Sequence, residues 1–166
     1  MKNFFPFFFL LSISLLIFIS CNKDDDKKPT VITAAGDIQS AMNEYRSLLG
    51  ENNGGTAGSQ ASGRRELNWD GVPDSLAAPY FLPSDFFNTN TGTRARGAFF
   101  STPGDGVQVS ADSNNPSGAL PSFGNINPIY QTNFPPFSAE RVFSPIGSNV
   151  VNLTFYVPGS NTPAVV

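Results

Sequence analysis

A short stretch of the chain holds the side chains best suited to bind a ligand: two neighbouring arginines followed by a tryptophan and an aspartate (Arg64, Arg65, Trp69 and Asp70). Sugar-binding proteins stack an indole on the sugar face and place planar polar groups at its hydroxyls. The stretch is therefore a candidate carbohydrate-binding patch. The competing interpretation is favoured, because indoles are commonly buried and this is the only tryptophan. In that interpretation Trp69 anchors the core while an arginine pairs with Asp70 or Glu66.

Catalytic chemistry has little support in the sequence. The chain contains no histidine, which removes the commonest general base and metal ligand and leaves a serine nucleophile without its usual activating group. Paired carboxylates can hydrolyse glycosides, but nothing in the sequence places two glutamates opposite each other. The glutamates in question are Glu44, Glu51, Glu66 and Glu140. We therefore expect a protein that is not an enzyme, with no catalytic residues and no cofactor.

Aspartates in the turns raise the question of a metal ion. Asp70 and Asp74 could contribute to a Ca²⁺ site, but this ion takes about six to eight oxygen ligands and the EF-hand spacing is absent. We expect a solvated turn and no metal. Asp105, within Pro-Gly-Asp-Gly, is expected to be a hairpin turn residue.

The only cysteine, Cys21, stands where an apolar run ends and a charged cluster begins. The run at residues 4–19 is shorter than the about 20 residues that a membrane-spanning helix needs, and Lys2 supplies the positive start of a secretory signal. With Ser20 before it, Cys21 resembles the lipobox of bacterial lipoproteins, in which cleavage before the cysteine leaves it acylated at the new amino terminus. The alternatives are an ordinary cleaved signal with an incidental cysteine and an uncleaved apolar anchor.

The residues after Cys21 form a charged tether that extends to residue 33. Its lysine and acidic run resembles the surface-export signal of certain double-membraned bacteria, and consists of Lys23, Asp24, Asp25 and Asp26. The resemblance implies a palmitoylated protein displayed on the outer membrane, with a periplasm-facing location as the alternative. Acyl chains contribute about 0.8 kcal/mol per buried methylene, and two of them hold a protein stably. The membrane is thus an expected partner through the lipid anchor.

Composition limits the remaining possibilities. From Thr30 onward the chain has six arginines and ten acidic residues, and this net negative charge of −4 argues against binding nucleic acid. Abundant glycine and proline favour a β-rich domain with long connections. From Thr30 onward, ten phenylalanines, Trp69 and four tyrosines supply enough apolar surface for a core. We expect a signal at residues 1–20, a tether at 21–33 and one domain at 34–166.

One amphipathic helix is expected at residues 37–49. Asp37 can cap its start and Gly50 its end, and a stripe of apolar residues at helical spacing is expected to pack against the core. That stripe is formed by Ile38, Ala41, Met42, Tyr45, Leu48 and Leu49.

A flexible loop is expected at residues 51–63, followed by short strands. The strands are predicted at residues 97–101, 107–111, 141–143 and 150–157. The last of these alternates apolar and polar residues most clearly. An unpaired strand edge is a liability, so this strand suggests either a shortened chain or a partner that pairs with it.

Several short segments resemble a group of secreted or envelope-anchored bacterial proteins without an established activity. The segments are a GRRE-x-NWDG stretch at 63–71, Phe-Phe-Asn at 86–88, Arg-Gly-Ala-Phe at 96–99, Thr-Pro-Gly at 102–104 and Phe-Ser-Pro-Ile-Gly-Ser-Asn at 143–149. The resemblance runs from about residue 37 to residue 159. It implies a β-sandwich with further strands beyond Gly159, and it provides no catalytic residues. Separately, Asp74-Ser75-Leu76 resembles a bacterial O-glycosylation pattern, which makes Ser75 a candidate for modification.

Together these observations predict a mainly β protein: a jelly-roll-like β-sandwich, complete or incomplete, with one amphipathic helix near its start and long loops. The expected function is a non-catalytic binding or adhesion module at the cell surface, with a glycan or a protein as partner. A structural or remnant domain without a ligand is the alternative, and a glycan hydrolase is a third possibility.

Overall fold

The computed structural model describes residues 29–137 and 139–164. The predicted signal, Cys21 and most of the charged tether lie outside these residues. Among the residues that are described, no helix has both the length and the apolar character needed to cross a membrane.

The described chain is mainly β, as predicted, and its strands form two small antiparallel sheets. The strands are β1 (Phe87–Asn88), β2 (Ala95–Ser101), β3 (Gly106–Val109), β4 (Phe143–Ile146) and β5 (Asn152–Phe155), and the helices are α1 (Gln39–Leu49) and α2 (Tyr130–Asn133). One sheet has the order β1-β2-β5, and β3 pairs with β4 in the other. Both sheets are small and open, and long loops join them.

The described residues form one hydrophobic core cluster, to which both sheets contribute. Phe87 and Phe100 come from the first sheet, whereas Val107 and Val109 come from the second. Ala98 of β2 and the loop residues Val72, Leu82 and Phe86 complete the buried cluster. Apolar side chains from strands and loops therefore stabilise the fold together, since removing such area from water is favourable.

The predicted helix is present, but its predicted packing is wrong. α1 begins at Gln39, and the Asp37 carboxylate accepts the Gln39 backbone N–H at 2.9 Å. No residue of α1 is buried, and Tyr45 and Leu48 are 47% and 56% exposed. Ala41 and Met42 of the apolar stripe are half-buried, but its larger residues Ile38, Tyr45, Leu48 and Leu49 are left exposed by the described chain.

The predicted strands lie near observed strands, but their boundaries differ. The predicted strand at 97–101 lies within β2, whereas the one at 141–143 is displaced, because β4 starts only at Phe143. Asp105 does not lie in a hairpin: its turn joins β2 of one sheet to β3 of the other, and its backbone N–H donates to the Ile146 carbonyl. The short helix α2 falls in a segment that the sequence indicates only as turns.

The expected loop at 51–63 contains no helix or strand. It is nevertheless closed at its base by a bridge between Asn52 and Arg64, where two backbone hydrogen bonds of 2.8 Å form. This closure brings the start of the GRRE-x-NWDG stretch beside the end of α1.

Candidate functional site

Trp69 lies at the edge of the core and joins it to the surface. Its ring meets Phe87 and Phe100 edge-on, with centroids 5.3 and 5.4 Å away, and stacks on Phe143 at 4.4 Å. Trp69 itself is half-buried, while Phe143 is 41% exposed. Phe143 thus covers one face of the indole and offers its own ring to solvent.

The local sequence explains why the indole takes this position. The Asn68 side-chain oxygen accepts the Asp70 backbone N–H at 3.0 Å, and the Trp69 carbonyl accepts the Val72 N–H at 3.0 Å. Such local bonds from asparagine favour a tight turn over a continued strand. The turn, a short 3₁₀ helix at Trp69–Gly71, directs the ring inward while Asn68 stays exposed.

Glu66 holds two arginines next to the tryptophan. Arg46 of α1 donates to both Glu66 oxygens at 3.0 and 3.1 Å, and Arg64 donates to one of them at 2.7 Å. The hydrogen bond from Arg64 is the largest cause that lowers the pKa of Glu66, and the bond from Arg46 also lowers it, against the opposing effect of burial. Arg64 also donates to the Arg46 and Gly50 carbonyls. This network attaches α1 to the site.

Arg65 extends away from this network. Its guanidinium donates to the carbonyls of Thr56 and Gly58 in the 51–63 loop and to Ala95 at the start of β2. The structure therefore separates the two neighbouring arginines: Arg64 lies beside Glu66, whereas Arg65 connects the loop to the sheet.

Asp70 receives three backbone hydrogen bonds. The N–H groups of Ala139, Glu140 and Arg141 donate to its carboxylate at 3.2, 3.1 and 3.0 Å. Asp70 thereby fixes the chain just before β4, and with it the position of Phe143.

Arg141 lies between Asp74, one of the two aspartates considered for a Ca²⁺ site, and Asp112. Its side chain is 4% exposed and contacts Asp74 at 2.5 Å and Asp112 at 2.6 Å. Burial raises the pKa of Asp112, but the hydrogen bonds and charge of Arg141, with backbone N–H groups, outweigh this effect and leave the pKa below its usual value. Within residues 29–137 and 139–164 no cluster of side chains suited to a metal ion is found.

These elements surround an open cleft of about 560 Å³. Aromatic rings form part of its wall, and Phe137 is 54% exposed there. The Arg46 guanidinium lies 6.0 Å from the centroid of the Phe137 ring. The cleft is lined by Arg46, Glu66, Leu67, Asn68, Trp69, Asp70, Phe137, Arg141, Val142 and Phe143.

Of the four candidate binding residues, two line this cleft. Trp69 and Asp70 do so, Arg64 touches it through Glu66, and Arg65 lies elsewhere. The sequence interpretation missed Arg46, Phe137 and Phe143. Arg46 lies outside the apolar stripe of the helix, and no local signal connects the other two residues to Trp69.

Comparison with known proteins provides no functional assignment for this cleft. No family model, curated protein or solved structure matches the chain. The chemistry of the cleft must therefore follow from its own side chains.

The other candidate residues lie apart from the cleft. Ser75 is exposed on a short 3₁₀ helix at Asp74–Leu76. Glu140 accepts hydrogen bonds from Ser113, and Glu44 and Glu51 are exposed. Among the four glutamates only Glu66 lines the cleft.

Proposed function

We propose that this protein is a lipid-anchored, non-catalytic binding module of the bacterial cell surface, and that the cleft beside Trp69 binds carbohydrate. The observation that carries the proposal is the pair of exposed aromatic rings, Phe137 and Phe143, beside the planar polar groups of Arg46, Glu66 and Asn68. A sugar ring has an apolar C–H face and a rim of hydroxyls, and these two kinds of group complement it.

The charges of the cleft favour a neutral sugar. Arg46 and Arg64 are paired with Glu66, and Arg141 with Asp74 and Asp112. With Asp70 included, these seven groups comprise three cations and four anions. An acidic glycan would meet no excess positive charge at this cleft, whereas neutral hydroxyls can share the remaining lone pairs and N–H groups.

The proposed anchor is the acylated Cys21, and Lys23 with the aspartates at 24–26 forms the proposed export tether. Both lie outside the described residues, so the proposal depends on their sequence alone. We also propose that the two sheets belong to a β-sandwich of the group with the GRRE-x-NWDG stretch. The support for this is that residues of both sheets contribute to one core.

A glycan array probed with the purified protein tests carbohydrate binding. We expect neutral oligosaccharides to bind and Phe143→Ala to lose about two- to tenfold in affinity, because an aromatic stacking contact contributes about 0.5–1.5 kcal/mol. Tyr80→Ala is the matched control, since Tyr80 is 54% exposed and lies outside the cleft. An array without binding, or an equal loss in both variants, would refute the carbohydrate proposal.

Metabolic labelling with palmitate tests the anchor. The wild-type protein should incorporate label and sediment with membranes, and Cys21→Ser should do neither. Label that persists in Cys21→Ser would show that this thiol is not the acylated group.

A second candidate function, a structural protein that binds another protein, is favoured by the exposed apolar residues. Four residues of the α1 stripe (Ile38, Tyr45, Leu48 and Leu49) and Leu153 and Phe155 of β5 are 38–56% exposed. Exposed apolar patches of this kind mark protein interaction surfaces. Two results together would favour this candidate: no glycan binds on the array, and Leu48→Asp abolishes a cross-linked protein complex in cells.

A further inference from the structure

The arginines of the described chain differ in how their charge is compensated. Arg46, Arg64 and Arg141 all form ion pairs with carboxylates. Arg65 and Arg96 are also half-buried, yet no ion pair is found for either within residues 29–137 and 139–164. A chain with more acidic than basic residues thus leaves two half-buried cations without a carboxylate.

Arg96 is the less satisfied of the two. Its Nε and Nη1 atoms are buried and have no hydrogen-bond partner among the described residues. Burying the donors of a guanidinium without an acceptor is unfavourable, because the lost hydration is not replaced. Arg96 as a whole is only half-buried, which leaves part of the residue accessible from solvent.

The Arg65 guanidinium reaches the backbone directly before Arg96. Its Nη1 donates to the carbonyl of Ala95 at 2.9 Å, directly before Arg96 in the chain. Burial and the charge of Arg96 both lower the pKa of Arg65, which agrees with this proximity. The acceptors that Arg65 has are neutral carbonyls of Thr56, Gly58 and Ala95, which leave its charge uncompensated.

We propose that Arg96, with Arg65 beside it, forms a binding site for an oxyanion, that is, a carboxylate, sulfate or phosphate group. Two adjacent guanidiniums attract such a group, and the planar fork of arginine matches its oxygen geometry. The site is distinct from the aromatic cleft, which neither arginine lines. The proposal therefore does not depend on carbohydrate binding there.

Thermal unfolding of the full-length protein in sodium sulfate, phosphate or acetate, each against sodium chloride of equal ionic strength, tests the site. At an oxyanion concentration about ten times Kd, the wild type should unfold about 3–5 °C higher than in chloride. Arg96→Gln should lose this shift. Arg94→Gln is the matched control and should keep it, because Arg94 is exposed and stacks on Phe86.

The three salts distinguish the source of the group. A response to acetate alone points to a carboxylate, such as an acidic side chain of a partner, and a response to sulfate and phosphate points to a tetrahedral anion. Equal shifts in Arg96→Gln and the wild type would overturn the proposal, as would the absence of a shift in every salt.

The unfolding temperature of Arg96→Gln in chloride provides a second readout. It should equal or exceed that of the wild type, since the substitution removes an uncompensated charge. A fall of more than about 4 °C, the equivalent of a lost buried partner, would show that Arg96 is already paired and would also overturn the proposal. Arg96→Lys keeps the charge without the fork, and should retain only part of the oxyanion shift.

Discussion

Arg141 is the residue on which most of the site's geometry depends. Its backbone N–H binds Asp70, its guanidinium binds Asp74 and Asp112, and Nη1 reaches the Ser110 carbonyl at 3.4 Å. These contacts join three segments that are far apart in sequence. The guanidinium supplies the positive charge that Asp74 and Asp112 require, which explains the proximity of these two carboxylates.

Replacing Arg141 should therefore destabilise the protein. Arg141→Met leaves two carboxylates without their partner, which costs about 3–5 kcal/mol when the charges are fully buried. Asp74 and Asp112 retain 41% and 28% of their side-chain exposure, so we expect a loss of about 2–3 kcal/mol. Urea unfolding measures this, with Arg94→Met as the exposed control. A change of less than 0.5 kcal/mol, within the ordinary range for surface substitutions of about that size, would contradict the prediction.

The lowered pKa values of Glu66 and Asp112 predict an acid-sensitive fold. A carboxyl whose pKa is lower in the folded state contributes stability that is fully present above its unfolded pKa, about 4. That contribution is lost as the pH falls through the folded pKa. The free energy of unfolding should therefore decrease below about pH 4. In Arg141→Met this decrease should be smaller, because the contribution of Asp112 is removed. An equal slope in both proteins would argue against the ion pair.

At the scale of elements, α1 is attached by polar contacts rather than by its apolar stripe. Arg46 binds Glu66, Arg64 binds the last carbonyls of the helix, and the stripe faces solvent. Helix stability in proteins usually comes from packing an apolar face against the rest of the fold. Most of the apolar face of α1 has no such packing among the described residues.

Substitutions in α1 should show this exposure directly. Leu48→Ala should change the free energy of unfolding by less than about 1 kcal/mol, since its side chain is 56% exposed. Leu82→Ala, at 5% exposed, should cost about 2–4 kcal/mol. Chemical denaturation compares the two. A cost for Leu48→Ala as large as that for Leu82→Ala would show that the stripe is covered in solution.

The contact between β2 and β5 depends on one glycine. Gly97 has φ +72°, and a Cβ built on it would lie 2.1 Å from the Tyr156 carbonyl oxygen. Gly36 has the same φ but open space around it, which makes it a matched control. Gly97→Ala should destabilise by about 3 kcal/mol or more, and Gly36→Ala by about 1 kcal/mol from backbone strain alone. Similar losses in both variants would mean that the contact is easily relieved.

At the scale of the whole molecule, the two sheets share a core that they do not fully cover. Leu153 lies opposite Phe100 across the β2–β5 ladder, and Phe155 lies opposite Ala98. Directly opposed residues point to the same face of a sheet. Leu153 and Phe155 therefore point to the face on which Phe100 and Ala98 are buried. All four residues of β5 are exposed.

This uncovered face should promote self-association at high concentration. Leu153→Lys places a charge on it and should reduce association in sedimentation velocity, without lowering stability. Thr154→Lys adds the same charge on the opposite face of the same strand and should have less effect. If both variants reduce association equally, net charge rather than the apolar face is the cause.

The residues that the sequence could identify are those whose signal is local. The helix position follows from its periodicity, and β2 from its apolar residues. Burial is different, because it depends on what lies opposite each face. Periodicity alone cannot reveal whether a cover exists, and this is why the α1 stripe was expected in the core.

The sequence by itself determined that the chain is mainly β, acidic and without histidine, since composition and short-range patterns are enough for these properties. Only the tertiary structure decided that Phe143 covers Trp69, that Arg46 faces the cleft, and that Arg141 lies between Asp74 and Asp112. The members of these groups are separated by about 20 to 75 positions in the chain. Such contacts arise from packing of the shared core, in which the free energy is gained by the assembly rather than by any one segment.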